Sequence, residues 1–256
     1  VGHDQVRKQV WVLYELLFHL RTGSWIRCRS CGRVTVKEYD HRRRRLRDRR
    51  LLRTYERGYD YRSCWSGRSR DVAAGRPRSG VVLWTVMDNT PAVGWDLRML
   101  ADVYGVADHV FSTTPSRGEA GHTAAEMNAV YNCFDALVFP SGREGFGMPV
   151  LEAMACGVPV VYSNASAHAD FAVGLPVRVR FMPDSPDAAT LAMVDMGDLL
   201  DQVLRLMDDA DQGRTLARMG RQRARRMDWD QVVPAWLRLL SDLETGRTPS
   251  RGPVRR

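Results

Sequence analysis

From Gly80 onward, short apolar runs alternate with amphipathic stretches, and that alternation limits the fold more than any other feature of the chain. The runs are VVLWTVM (81–87), HVFSTT (109–114), ALVFP (136–140), VPVVYS (158–163) and PVRVRF (176–181). The central ones are apolar continuously rather than at every second residue, as strands buried on both faces are. Between them, DLRMLADVYG (96–105) has Asp96 placed as a helix N-cap and Gly105 as its stop. TAAEMNAVYNCF (123–134) sets Met127, Val130, Tyr131 and Phe134 at helical spacing, and a helix from Met148 to Cys156 follows ALVFP. Further helices are expected at 195–208, 211–226 and 230–244. Strand and helix in turn, with short connections, predict an α/β fold, a doubly wound parallel sheet of Rossmann-like type, over residues 80–245. Ligands of such sheets sit at the carboxyl ends of the strands, facing helix N-termini.

Residues 1–79 read differently. DQVRKQVWVLYELLFHL (4–20) places Val6, Val10, Leu13, Leu17 and Leu20 on one helical face. The segment from Arg21 to Gly80 then holds 19 Lys and Arg against 6 Asp and Glu, a local +13 in a chain whose net charge is +8. It lacks a sustained period and is expected to be irregular or disordered, as is the polar tail at 246–256. HRRRRLRDRR has no aromatic interleaving, so it reads as a solvated run rather than a nucleic-acid surface. CRSCG (28–32), with His41 or Cys64, lacks the second well-spaced pair of a zinc ribbon, and no metal site is expected. Five cysteines at irregular spacing point to reduced thiols and a cytoplasmic setting, Cys133 and Cys156 reading as core thiols. No apolar run is long enough to span a membrane. Val1 stands where a start Met would, which leaves open a trimmed chain, a gene fragment or a non-standard start.

The chemistry concentrates in PSGREGFGMPVLEAMACGVPVV (140–161). Pro149 suits a helix start, so the free N–H groups of Gly147, Met148 and the first turn fall at the carboxyl end of ALVFP, a phosphate-shaped site. Gly145 and Gly147 allow close backbone approach, and Phe146 between them is free to turn away and anchor the loop. A carboxylate, Glu144, beside such a site suits a phosphate that carries a sugar, because it accepts from hydroxyls. Glu152, one turn into the helix, suits ribose hydroxyls. Two glutamates near a helix start also arise simply because they complement its dipole, and spacing alone leaves both readings open. His122 and His168, near strand ends, are further cleft candidates.

FDALVFPSGREGFGMPVLEAMACGVPVV resembles the signature of the retaining family 4 glycosyltransferases, which have the GT-B architecture. The weaker resemblance on either side runs from LWTVMD and GWDLRMLADVYGVADHVFST through YSNASAHADFA to WDQVVPAWLRLL. The resemblance implies the C-terminal, donor-binding domain of such an enzyme. It gives Glu144 the catalytic place against the transferred hexose, and Gly145, Phe146, Gly147 and Met148 the sugar and distal phosphate. It gives Glu152 the ribose, and Ser112 to Thr114, with Ser112 and Thr113 foremost, the base. The implied reaction moves a hexose from a UDP- or GDP-hexose to an unknown acceptor with retention, without cofactor or obligatory metal.

Two departures accompany it. The family neutralises the diphosphate with an Arg and a Lys after the first strand of this domain, where this chain reads MDNTPAVGWD. The acceptor-binding N-terminal domain also has no counterpart in residues 1–80. A truncated enzyme is therefore weighed against a catalytically inactive nucleotide-sugar-binding remnant and against a basic nucleic-acid-binding protein.

Overall fold

A computed structural model describes residues 9–28, 34–36, 39–40, 45–46, 72–87, 95–113, 122–183 and 190–247. Helix α1 (Val10–Thr22) comes first, ended by Gly23 at φ 64°. The short strands β1 (Trp25–Cys28), β2 (Val34–Val36), β3 (Tyr39–Asp40), β4 (Arg45–Leu46) and β5 (Val72–Ala74) follow. Then come β6 (Leu83–Thr85), α2 (Leu97–Tyr104), β7 (Val110–Ser112), α3 (Ala124–Asn132), β8 (Leu137–Phe139), α4 (Met148–Cys156) and β9 (Val160–Ser163). The chain continues through α5 (His168–Phe171), β10 (Leu175–Val177), β11 (Val179–Pro183), β12 (Thr190–Val194), α6 (Met196–Asp208), α7 (Ala210–Arg225) and α8 (Trp229–Glu244).

The helix boundaries follow local chemistry. Asp96 accepts from the N–H groups of Arg98 and Met99 at the start of α2, and Gly105 closes it at φ 64°. Thr123 and Glu126 form a reciprocal capping box on α3. Asp195, Asp209 and Asp228 cap α6, α7 and α8 with their side chains.

Parallel pairing takes the form of two groups, β7–β6 and β10–β9–β8. Each parallel neighbour is reached through a helix, as a parallel crossover requires. Both faces of β8 and β9 are covered. Val138 and Val161 pack toward Val12, Leu16, Leu199 and Leu204, whereas Phe139, Val160 and Tyr162 pack toward Val150, Met154 and Tyr131. The continuous apolar runs are thus satisfied on two sides, in a doubly wound α/β arrangement.

The run at 176–181 resolves into two strands. β10 joins the parallel group, and β11 turns into an antiparallel pair with β12.

Helix α1 is the structural center of the first third of the chain. Val12, Leu16 and Leu20 enter the cluster of Val161, Val177, Leu199, Leu200 and Leu204. Val10, Tyr14, Leu17 and Phe18 enter that of Leu97, Leu100 and Tyr104, with Leu83 and Val110 against it. One helix therefore covers both parallel groups. β1 pairs antiparallel with β2 and β5, where irregular chain is expected, and Val34 packs with Leu199 and Leu200. Packing consequently runs across the boundary expected at residue 80.

Cys133 departs from its reading as a core thiol. It is the exposed C-cap of α3, because that helix ends at Asn132, two residues before the apolar spacing does. Cys156 is half-buried and donates to Asn128 Oδ1 at 3.4 Å. Cys31, His41, Cys64, most of the Arg-rich run and residues 248–256 lie outside the described residues. Among the described residues no helix is long and apolar enough to cross a membrane.

Candidate functional site

The loop between β8 and α4 leaves the carboxyl end of the sheet, as the doubly wound arrangement demands. Gly142 brings it against β12. An added Cβ there would stand 2.4 Å from the carbonyl oxygen of Ala192, and Ala192 N–H donates to Gly142 O at 3.2 Å. Buried Gln9, at the start of α1, clamps the same place. Its Nε2 donates to the carbonyls of Pro140 (2.9 Å) and Ala192 (2.7 Å), and its Oε1 accepts from Val194 N–H (3.1 Å).

Gly147 is the N-cap of α4 at φ 96°, a left-handed conformation that a side chain strains. A Cβ there would also stand 2.7 Å from that of His168. Met148, the first helical residue, has an N–H that the helix does not use, and the positive end of the dipole lies with it. Phe146 turns outward and stacks on Phe171, centroids 4.8 Å apart, so the loop is anchored by its one aromatic residue.

Each glutamate has its own partner. Ser141 Oγ donates to Glu144 Oε1 at 2.7 Å, and Tyr131 Oη donates to Glu152 Oε2 at 2.9 Å. Burial first and the Glu152 charge second push the Tyr131 phenol well above its ordinary range, so it stays a donor. The sequence marks Tyr131 only as an apolar helix position, and the serine before the loop without a role. Both enter the site as hydrogen-bond donors to its carboxylates.

Ser112 and Thr113 stand at the carboxyl end of β7. Trp84 Nε1–H donates to Thr113 Oγ1 at 2.6 Å, and Trp84 meets Phe134 edge-on at 5.6 Å, which meets Tyr131 at 5.8 Å. A row of aromatic rings thus links Thr113 to the partner of Glu152. Ser112 lies in a groove of about 380 Å³ with Tyr14, Leu97, Arg98 and Asp102, which shares no lining residue with the 140–152 loop. His168 is buried beneath Gly147, its Nε2 on Ser163, rather than in the open cleft. His122 is half-buried just ahead of α3. Among the described residues no group of three or more His, Cys, Asp or Glu is placed to hold a metal ion.

The loop thus sets a helix N-terminus with a positive-φ glycine, which suits an anion, beside two separately held carboxylates, which suit hydroxyls, at the carboxyl end of a parallel strand. Residues 93–209 match the family described as Glycosyl transferases group 1. The chain is 31% identical over 147 residues to the D-inositol 3-phosphate glycosyltransferase of Mycolicibacterium smegmatis, covering 56% of this chain and 30% of the relative. It is 30% identical over 169 residues to the protein of that name from Mycobacterium marinum, covering 62% and 32%. The chain therefore spans about a third of the length of these relatives. Its fold is similar to that of Anabaena HepE, solved in complex with UDP, at TM-score 0.50 and 18% identity over 63% of this chain and 41% of that one. The likeness is one of fold, a mixed α/β arrangement with parallel strands.

Proposed function

We propose that this chain is the donor-binding half of a retaining hexosyltransferase, acting in the cytoplasm, that takes a UDP- or GDP-hexose. The observation that carries the reading is the loop itself: Glu144 held by Ser141 at 2.7 Å, directly ahead of the positive-φ Gly147 and the N-terminus of α4. Solved relatives of the same fold support it, HepE having been crystallised with UDP and with UDP and glucose.

In this reading the Met148 N–H and the α4 dipole take the distal phosphate, whose negative charge grows as the glycosidic bond breaks. Glu144 accepts from hydroxyls of the hexose, and its charge steadies the positive character that develops at the anomeric carbon. Glu152, oriented by Tyr131, accepts from the ribose. Thr113 and Ser112 lie toward the base, beside Trp84. In this reading no obligatory metal is needed, because the helix end meets the diphosphate.

Calorimetric titration with UDP, GDP and their sugar conjugates tests this. Glu152→Ala should weaken nucleotide binding roughly 10- to 100-fold, as loss of a charged hydrogen-bond acceptor does. Glu144→Ala should weaken only the sugar conjugates and abolish donor hydrolysis or transfer. Clean binding without turnover would favour the inactive remnant, and no binding of any nucleotide would refute both. The nucleic-acid reading gains nothing from the site, whose two named carboxylates repel a phosphate backbone.

A further inference from the structure

His168 is fully buried, and only one of its nitrogens is engaged. Nε2 lies 2.9 Å from the carbonyl oxygen of Ser163 and 3.1 Å from Ser163 Oγ. A carbonyl can only accept, so Nε2 carries the proton and Nδ1 keeps a lone pair. Nδ1 is buried without a hydrogen-bond partner, on the side where Gly147 packs. The ring is held edge-on between Phe139 and Tyr162, at 5.3 and 6.0 Å.

From Ser163 the donors continue in one direction. Ser163 Oγ–H donates to the carbonyl of Ser141, and Ser141 Oγ–H donates to Glu144 Oε1 at 2.7 Å. The Ser163 hydroxyl joins the first link to the second, and Ser141 joins the second to the third by accepting at its backbone carbonyl and donating from its side chain. Burial pulls the imidazole below its ordinary range, against the opposing effects of the Ser163 carbonyl and the Glu144 charge, and so favours the neutral ring.

The backbone bears a cost for this arrangement. Among the described residues two that are not glycine have positive φ, Gln9 at 51° and Ser166 at 59°. Gln9 grips Pro140, and Ser166 turns the chain that delivers His168. Both conformations serve the same loop, and both are ones that side chains rarely adopt.

We infer that His168 is a positioning residue for Glu144. Its Nε2–H, through Ser163 and Ser141, sets where the carboxylate stands, so His168 governs recognition of the sugar half of the donor without touching it. This rests on the donor reading above, and it assigns His168 to selectivity between a nucleotide and its sugar conjugate.

The test compares UDP with UDP-glucose by calorimetry, or GDP with GDP-mannose if the chain takes guanine. Gln carries its amide nitrogen near the place of Nε2, and Asn near that of Nδ1. His168→Phe and His168→Asn should weaken the sugar conjugate roughly tenfold and leave the bare nucleotide within about twofold, whereas His168→Gln should stay near wild type. Ser141→Ala should match His168→Phe, and the double variant should be no worse than either, as members of one relay behave. Equal losses for both probes, or a Gln variant as weak as the Phe variant, would overturn the inference. Wild-type protein that binds no nucleotide refutes the donor reading instead. The relay is then read directly by ¹⁵N NMR of His168, where protonated Nε2 at neutral pH is expected and the Nδ1–H tautomer sinks it.

Discussion

Tyr131 and Glu152 meet at 2.9 Å where α3 packs on α4, and the pair shows how one hydroxyl changes what a carboxylate can do. The phenol fixes one oxygen of Glu152 and leaves the other for a ligand. Tyr131→Phe keeps the packing and frees the carboxylate, so UDP affinity should fall about tenfold in calorimetry with the melting temperature nearly unchanged. Tyr14 gives the pH dependence. It is fully buried, and desolvation pushes its phenol up to about 12 from 10.0. An acid with a raised folded pKa keeps its stability contribution below the unfolded value and loses it as pH rises toward the folded one. Urea unfolding between pH 9 and 12 should therefore lose roughly 2–3 kcal/mol that Tyr14→Phe retains, while the two proteins agree at pH 7.

At the scale of elements, α4 was legible and α1 was not placed. Gly147, Pro149 and Gly157 punctuate α4 at Met148–Cys156, the bounds the sequence predicts, because each acts locally through its own backbone. The spacing of Val10, Leu13 and Leu17 predicts a helix at α1 without saying what it packs on. Gln9 settles part of that, since its three hydrogen bonds join α1 to the β8 loop and to β12. Gln9→Ala strands buried carbonyls and an N–H, and urea denaturation should show a loss of roughly 2–4 kcal/mol. A loss below about 0.5 kcal/mol would mean the clamp is ornamental.

At the scale of the whole molecule, among the α-helices of the described residues, one stands apart from the cores. Helix α8 has no buried residue, and Trp229, Trp236, Leu237, Leu240 and Leu243 are all exposed on it. Its stability contribution to the rest should be small. The double substitution Trp236→Glu, Leu240→Glu is expected to change the unfolding free energy by less than about 0.5 kcal/mol, measured by urea titration. A large loss would show that the helix packs in solution.

The sequence alone determined the strand and helix alternation from 80 to 245, the start of α4 and the two glutamates of its loop, because these depend on apolar runs, caps and glycines that act within a few residues. The tertiary structure decided the rest. It drew α1 and the β1–β2–β5 sheet into the cores, paired Tyr131 with Glu152, and set His168 under Gly147 with Ser163 between it and Ser141. Most of those contacts join residues far apart in the chain, Tyr131 and Glu152 by 21 positions, as does the bond between Gln9 and Pro140 by 131. No local pattern encodes such a separation, since only packing decides which buried polar groups find each other.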